Sequence, residues 1–176
     1  MAARDDGRYV EFVAASQERL RRTAYLMCGD WSTAADVTQE ALLRVYVAWP
    51  RLETGDGLPT YARRALVSAL IDHQRKNASR RKREDRVRLP DLVGDGTTDR
   101  ADRAVLMQAL RAVPPRQRAC IVLRYFEDLC VADTAAALRC SEGTVKSQTS
   151  SGISALRREL ERLGLPDLAT ATLGGI

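Results

Sequence analysis

The hydrophobic pattern of the first part of the chain predicts three amphipathic helices. Apolar residues recur every three or four positions over residues 9–28, 32–49 and 60–76, which is the spacing of one buried helix face. Gly29 separates the first two helices, and Pro50 is expected to stop the second because proline cannot continue a helix. This part of the chain is therefore predicted to fold as a small helical domain.

The same pattern predicts a second helical group. Helices are expected over residues 103–112 and 116–126, and Pro115 stands at the start of the second, where proline is tolerated. A short Ala-rich helix is expected over residues 131–138. A longer helix follows Ser141, whose hydroxyl can accept a backbone N–H at the helix start. The predicted inward stripe of this last helix is Val145, Thr149, Gly152, Leu156, Leu160 and Leu163.

A change in composition separates the two groups. Eight of the fourteen residues from 75 to 88 are Lys or Arg, and acidic and turn-forming residues follow them. This segment has too few apolar residues to build a core. We therefore predict an all-α chain of two small helical domains, residues 8–78 and 103–163. A flexible linker, residues 79–102, joins them, and a disordered tail, residues 164–176, follows.

Composition and charge narrow the class of protein. The chain has 176 residues, a net charge of +5 and only 5% aromatic residues. This favours helices over a β-rich fold and suits an anionic partner. It has no apolar run of membrane-spanning length and no signal-peptide core, so we expect it in the cytoplasm. One histidine and four cysteines without C-x-x-C spacing predict no metal or other cofactor.

The last two predicted helices have the pattern of a helix–turn–helix motif, with a turn at residues 139–141. A basic, amide- and hydroxyl-bearing face on the second helix of such a pair can enter the major groove of DNA. The same pattern also occurs in all-α proteins that never bind nucleic acid. The outward face comprises Lys146, Ser147, Gln148, Ser150, Ser151 and Arg157.

Two further polar faces lie in the first predicted domain. The second helix carries neighbouring polar residues that form either a solvated face or a docking surface for a basic partner: Asp36, Gln39, Glu40 and Arg44. The third helix carries a stripe that combines an aromatic ring, guanidinium groups and small polar groups. Such a stripe could stack on bases and contact phosphates. It comprises Tyr61, Arg64, Ser68, Asp72 and Arg75.

Four segments together resemble extracytoplasmic-function (group IV) sigma factors of the sigma-70 family, and they occur in the order of that family. AADVTQEALLRVY resembles the segment that binds core polymerase, and TYARRALVSALIDHQRK resembles the promoter-melting helix. VPPRQRACIVLRYFEDL and ADTAAALRCSEGTVKSQTSSGISALRREL resemble the C-terminal DNA-binding domain. The sequence of the last segment is similar to that of the actinobacterial SigE-like subset.

The resemblance implies an RNA polymerase sigma factor, which is not an enzyme and which directs promoter-specific transcription initiation. Its partners would be promoter DNA and core RNA polymerase, through the clamp coiled coil of the largest subunit and the flap region. An anti-sigma factor that holds the protein inactive is also expected. The polymerase-binding residues implied by the resemblance are Asp36, Gln39, Glu40 and Arg44.

The resemblance also implies which residues contact DNA. The third-helix stripe would engage the minus-10 element, where flipping a base costs about a few kcal/mol that protein contacts must offset. The minus-35 element would be contacted by Arg116, Thr144, Lys146, Ser147, Gln148, Ser150 and Arg157. Four positions depart from the family pattern. Ser68 stands where the family often has Asn, and Ser151 stands where it commonly has Arg. Cys130 takes the place of a capping Ser, and Arg139 takes the place of a Gly in the turn.

Two other classes of protein remain as alternatives. A stand-alone helix–turn–helix regulator would explain the second domain but would leave the polar faces of the first without a role. An enzyme would need clustered carboxylates for metals, a Cys/His pair or a phosphate-binding Gly loop, and the sequence offers none of these patterns.

Overall fold

A computed structural model describes the backbone of residues 6–52, 57–81 and 97–165, and the side chains of residues 7–52, 57–76 and 104–165. The described part is helical and contains no strand, which confirms the all-α prediction. The helices are α1 (Asp6–Cys28), α2 (Trp31–Leu52), α3 (Leu58–Arg81), α4 (Thr97–Ala112), α5 (Pro115–Ile121), α6 (Val131–Leu138) and α7 (Glu142–Arg162), and a π-helical turn (Val122–Phe126) follows α5. The chain divides into two compact units, of which the first contains α2, α3 and most of α1, and the second contains α4 to α7.

Alanines are frequent among the buried residues of α2 and α3 in the first unit. The two helices pack directly against each other. Alanine recurs every seven residues on the buried side of α2, and three more alanines are buried on α3. Because alanine has only a Cβ, such helices can approach to the short end of the usual interaxial range of about 8–10 Å. The buried alanines are Ala34, Ala41 and Ala48 on α2, and Ala62, Ala65 and Ala69 on α3.

Helix α1 contacts α2 through aromatic rings. The ring of Tyr9 lies 4.9 Å from that of Tyr46 and packs edge-on against Trp49, with ring centroids 5.3 Å apart. Phe12 packs on the same tryptophan at 5.9 Å. The Tyr9 hydroxyl donates to the carbonyl oxygen of Leu42 at 3.0 Å. These rings fill the space between α1 and α2 and bury Trp49 almost completely.

Three helix boundaries differ from the sequence prediction. Helix α2 continues two residues beyond Pro50, so the prediction that this proline stops the helix was wrong. Pro50 lacks the N–H that would bond the carbonyl oxygen four residues back, and the helix ends within two residues of it. Helix α3 extends to Arg81, and α4 begins at Thr97, so helix enters both ends of the predicted linker. The middle of that linker, residues 82–96, and the tail from residue 166 lie outside the described residues.

The second unit is organised around a core that α4, α5 and α7 share. Its buried residues are Ala109, Leu110, Val113, Ile121, Leu156 and Leu160. Helix α7 can approach α5 closely because Gly152 has no side chain at the contact. A Cβ built on Gly152 would lie 3.0 Å from Ile121 Cδ1, 3.1 Å from Gln117 Cβ and 3.2 Å from the Gln117 carbonyl oxygen. The predicted inward stripe of α7 is confirmed from Val145 to Leu160, and Leu163 is half-buried.

The predicted helix over residues 116–126 is interrupted. The Glu127 N–H donates to the Val122 carbonyl oxygen at 3.0 Å, five residues back, and the chain forms a π-helical turn. The wider turn keeps Val122 and Leu123 in the core, while Tyr125 and Phe126 are 38% and 43% exposed. Asp128, with φ 53°, completes the corner before α6.

We predict that Gly152→Ala destabilises the second unit, because the new Cβ would meet the Cβ and backbone of Gln117 at distances that require α5 to shift. Overpacking of this kind costs about 1–3 kcal/mol, against a helix-propensity gain of about 1 kcal/mol. Thermal unfolding of the full chain followed by circular dichroism measures the loss. Both tryptophans, Trp31 and Trp49, lie in the first unit, so tryptophan fluorescence reports that unit separately.

Gly143→Ala is the matched control for this prediction. Gly143 lies on the same helix and is exposed, and the nearest atom to its Cβ position is Ser141 Oγ at 3.9 Å. This variant should be as stable as the parent or slightly more stable. Equal stability of the Gly152→Ala and Gly143→Ala proteins would contradict the close contact between α5 and α7.

Candidate polymerase and DNA interfaces

The polar face of α2 begins at a capped helix end. Asp30 caps α2, because its Oδ2 accepts the Thr33 N–H at 2.8 Å. Asp36, Gln39 and Glu40 are exposed on the first half of the helix. The structure therefore places three of the four residues predicted for polymerase binding on one open surface.

The fourth predicted residue, Arg44, is engaged within the first unit. Its guanidinium donates to Glu40 Oε1 and to Asp72 Oδ2, each at 3.0 Å, so it joins α2 to α3. Burial alone would lower the pKa of Arg44, but the hydrogen bonds to Asp72 and Glu40 outweigh burial and the pKa is raised above its usual value. Arg44 is therefore a fixed cation between two carboxylates.

Two exposed apolar residues extend the α2 face, and neither was predicted from the sequence to have a functional role. Leu43 is 59% exposed and Val47 is 67% exposed. Leu43 follows Gln39 by four residues and Glu40 by three, and Val47 follows Leu43 by four, so all lie on one stripe. This spacing is the feature of the sequence from which their position on the same face could have been predicted. We call the stripe of Asp36, Gln39, Glu40, Leu43 and Val47 the docking face.

The predicted minus-10 stripe lies along one side of α3 and is only partly exposed. Arg64 and Arg75 are exposed, whereas Tyr61 and Ser68 are half-buried. Asp72 is also half-buried, and its carboxylate binds Arg44. The structure therefore joins Asp72 and Arg44, which were predicted to belong to two separate functional surfaces.

The helix–turn–helix forms as predicted, although the residues in its turns are unusual. The Asp133 N–H donates to Cys130 Sγ at 3.3 Å, so the thiol caps α6 in place of a hydroxyl. Arg139 adopts the left-handed conformation, with φ 53° and ψ 50°, which costs a residue other than glycine about 1–2 kcal/mol. Ser141 caps α7 by accepting the Thr144 N–H at 3.1 Å.

Helix α7 presents a polar face opposite its buried stripe. Lys146, Ser147, Ser150 and Arg157 are exposed, while Gln148 and Thr144 are half-buried. The Thr144 hydroxyl lies 2.9 Å from Ser141 Oγ, so it takes part in the cap at the helix start. Arg116 is exposed in the first turn of α5, and Ser151 is exposed on α7.

A groove of about 430 Å³ runs along this face of α7. Three cationic side chains line it, and neither Asp nor Glu is among its lining residues, so it suits an anion such as a phosphate. Two of these cations, Lys146 and Arg157, were predicted from the sequence. Arg124 and Tyr125 were missed, because the π-helical turn that carries them had been predicted as regular helix. The lining residues are Arg124, Tyr125, Val131, Lys146, Thr149, Ser150, Ile153, Ser154 and Arg157.

The cysteines offer no reactive pair in the described part of the chain. All four are free thiols, and Cys120 is buried. The pKa of Cys120 is raised to about 11, mainly by burial and also by the neighbouring Cys140, although a hydrogen bond with Thr149 partly offsets the rise. At neutral pH this thiol stays protonated, so it is neither a nucleophile nor a metal ligand.

The described residues offer neither a metal-binding cluster nor a membrane-spanning helix. No group of three or more His, Cys, Asp or Glu side chains there is arranged to hold a metal ion. None of the described helices has the length and apolar character needed to cross a membrane.

The helix–turn–helix, together with a groove that three cations and no Asp or Glu line, is typical of helix–turn–helix DNA-binding proteins. Comparison with known proteins then defines the family. Residues 12–80 match the family described as Sigma-70 region 2, and residues 103–156 match Sigma-70, region 4. An RNA polymerase sigma-E factor of Streptomyces avermitilis is 36% identical over 154 residues, which cover 87% of this chain and 85% of that protein.

Two further comparisons agree with this match. The extracytoplasmic-function sigma factor SigW of Bacillus subtilis is 26% identical over 173 residues, covering 90% of this chain and 92% of that protein. The fold matches that of the sigma factor RpoE from Bartonella quintana, solved in complex with the anti-sigma factor NepR. That match has a TM-score of 0.75 at 21% identity and covers 87% of this chain and 96% of the other.

The chain belongs to the sigma-70 family of RNA polymerase sigma factors, in its extracytoplasmic-function type. It acts in transcription initiation, with core RNA polymerase and promoter DNA as partners. The predicted family and fold class are therefore confirmed. A stand-alone regulator is not favoured, because the family matches lie in both units.

Proposed function

We propose that the two units divide the recognition steps of this sigma factor between them. The first, residues 8–78, binds core polymerase and the minus-10 element, and the second, residues 103–163, binds the minus-35 element. Residues 79–102 link them and residues 164–176 form a tail. The observation that supports this division is the contrast between two surfaces. The docking face on α2 is acidic and apolar, whereas the groove on α7 is lined by cations and by neither Asp nor Glu.

The docking face binds the clamp coiled coil of the largest polymerase subunit. Its acidic end, with Asp36 and Glu40, suits a basic partner surface, and Gln39 beside them offers an amide for hydrogen bonding. Its apolar end, with Leu43 and Val47, suits an apolar patch on the same partner. The second unit contacts the flap region, which keeps both units on the polymerase.

The minus-10 element binds along α3. Arg64 and Arg75 are exposed and supply positive charge for the DNA backbone. Tyr61 and Ser68 are half-buried between them and offer a ring and a hydroxyl for a flipped base.

The minus-35 element binds along the groove of α7. Lys146, Ser147, Gln148 and Ser150 lie in the half of the helix that recognition helices usually turn toward base edges. Arg116, Arg157 and Arg124 contact phosphates around that site. Thr144 contributes mainly by fixing the helix start, because its hydroxyl interacts with Ser141.

The protein works as a non-enzymatic factor in the cytoplasm, where transcription takes place. An anti-sigma factor controls it by covering the surfaces that meet polymerase. The complex of RpoE from Bartonella quintana with NepR supports this partner class, because it shows such a partner on a chain of the same fold.

We predict that Asp36→Lys and Glu40→Lys each weaken binding to core polymerase by about tenfold, because the reversed charge repels a basic partner. Leu43→Ala with Val47→Ala should weaken binding to a similar degree through lost apolar contact. Affinity is measured with fluorescently labelled protein and core enzyme at two salt concentrations. The charge-reversal effects should shrink at high salt, whereas the effect of the apolar pair should persist.

Val10→Ala is the matched control for the apolar pair. Val10 is 62% exposed, comparable to Leu43 and Val47, but it lies on α1 outside the docking face. This variant should bind polymerase as the parent does. Unchanged binding by both charge reversals and by the apolar pair would rule out the docking face.

We predict that Lys146→Ala lowers minus-35-dependent initiation by about five- to thirtyfold and leaves polymerase binding unchanged. If Lys146 contacts a phosphate, all minus-35 sequences weaken together and the salt slope falls by about one; if it contacts a base, discrimination at one position relaxes. Run-off transcription on promoters with single-base changes separates these cases.

Arg162→Ala provides the comparison on the same helix. Arg162 is exposed near the end of α7 and pairs with Glu159 at 2.9 Å, away from the groove. Initiation should be unaffected by this change. Equal initiation by the Lys146→Ala and Arg162→Ala proteins would argue against minus-35 recognition through the groove.

A further inference from the structure

An ion bridge joins α2 to α3 at the edge of their interface. Arg44 donates from Nε to Glu40 Oε1 and from a terminal nitrogen to Asp72 Oδ2, each at 3.0 Å. Arg44 lies between the buried Ala41 and Ala48, and Asp72 follows the buried Ala65 by two turns. The close packing of these two helices therefore brings together residues 28 positions apart.

Asp72 interrupts a cationic stripe. Arg64, Ser68, Asp72 and Arg75 follow one another at spacings of three or four along α3, so they lie on one side of the helix. A carboxylate directed outward on this side would repel DNA phosphates. The bond to Arg44 holds the carboxylate toward α2 and places a positive charge beside it.

The bridge contributes little to the stability of the fold. The Arg44 side chain is 31% exposed and the Asp72 side chain is 43% exposed, so water screens the pair. The packing of α2 on α3 depends on buried apolar side chains instead. Variants at positions 44 and 72 are therefore expected to fold, and a functional effect can be read separately from a folding defect.

We propose that Arg44 is a positioning residue for minus-10 recognition: by binding Asp72 it keeps a negative charge away from the promoter phosphates. This assigns Arg44 to the DNA-binding step, whereas the sequence had placed it among the polymerase contacts. The proposal rests on the proposed role of α3 in binding the minus-10 element.

Promoter opening by the full-length protein with core polymerase tests the proposal. A 2-aminopurine base in the minus-10 element reports opening by its fluorescence. Arg44→Ala should lower the rate of opening by about three- to tenfold, with the larger loss at low salt, because the released carboxylate repels DNA. Polymerase binding should stay within about twofold of the parent. A binding loss equal to the opening loss would overturn the proposal and make Arg44 a polymerase contact.

A second substitution distinguishes charge positioning from a general structural role. Asp72→Asn in the Arg44→Ala background removes the released negative charge and should recover most of the lost opening. Loss of the packing contacts of the Arg44 side chain would not be repaired by this second substitution, and equal thermal unfolding of the parent, the Arg44→Ala protein and the double variant excludes a change in stability as the cause of the recovery. Failure of the double variant to recover opening, or unchanged opening by Arg44→Ala alone, would overturn the proposal.

Arg64→Ala distinguishes a failure of the positioning role of Arg44 from a failure of the proposed minus-10 role of α3. Slower opening by Arg64→Ala together with normal opening by Arg44→Ala would leave the minus-10 face intact and refute the positioning role. Normal opening by Arg64→Ala, Arg75→Ala and Arg44→Ala alike would refute the minus-10 face, and the positioning role with it.

Discussion

The packing of neighbouring helices fixes which exposed side chains lie side by side in each unit. In the first unit, α2 lies directly on α3, and alanines recur every seven residues on the buried side of α2. In the second, the missing side chain of Gly152 lets α7 lie close to α5. A larger residue at position 152 would meet Gln117 and force α5 to shift.

The exposed surfaces follow from these contacts. The α2–α3 packing brings Arg44 within 3.0 Å of Asp72 and sets the docking face of α2 next to the cationic stripe of α3. The α5–α7 packing carries the π-helical turn to the side of α7, so Arg124 and Tyr125 line the same groove as Lys146. In each unit the functional surface combines residues from two elements, and neither helix would form it alone.

The sequence predicts features that depend on short-range spacing. The bounds of α6, the cap at Ser141 and the buried stripe of α7 follow from helical periodicity and capping chemistry, and the structure agrees with each. The π-helical turn was not predictable, because the choice between a bond four or five residues back depends on how α5 packs. Leu43 and Val47 were overlooked because apolar residues on an amphipathic helix are assumed to be buried.

Contacts between residues far apart in the chain could not be predicted from the sequence for a similar reason. Arg44 and Asp72 each fit a plausible surface set, and nothing in their local spacing shows that they bind one another. Arg139 stands where the family pattern has a turn glycine, and it adopts the left-handed conformation that the turn requires. The surrounding helices therefore outweigh a local cost of about 1–2 kcal/mol.

Run-off transcription shows most directly whether the two units act together as a promoter-specific initiation factor. Core RNA polymerase from a related bacterium is assayed with and without the full chain on a library of promoter fragments. We expect initiation that depends on the protein and is confined to fragments sharing an upstream and a downstream element at fixed spacing. A folded protein that neither binds core polymerase nor stimulates initiation would contradict it.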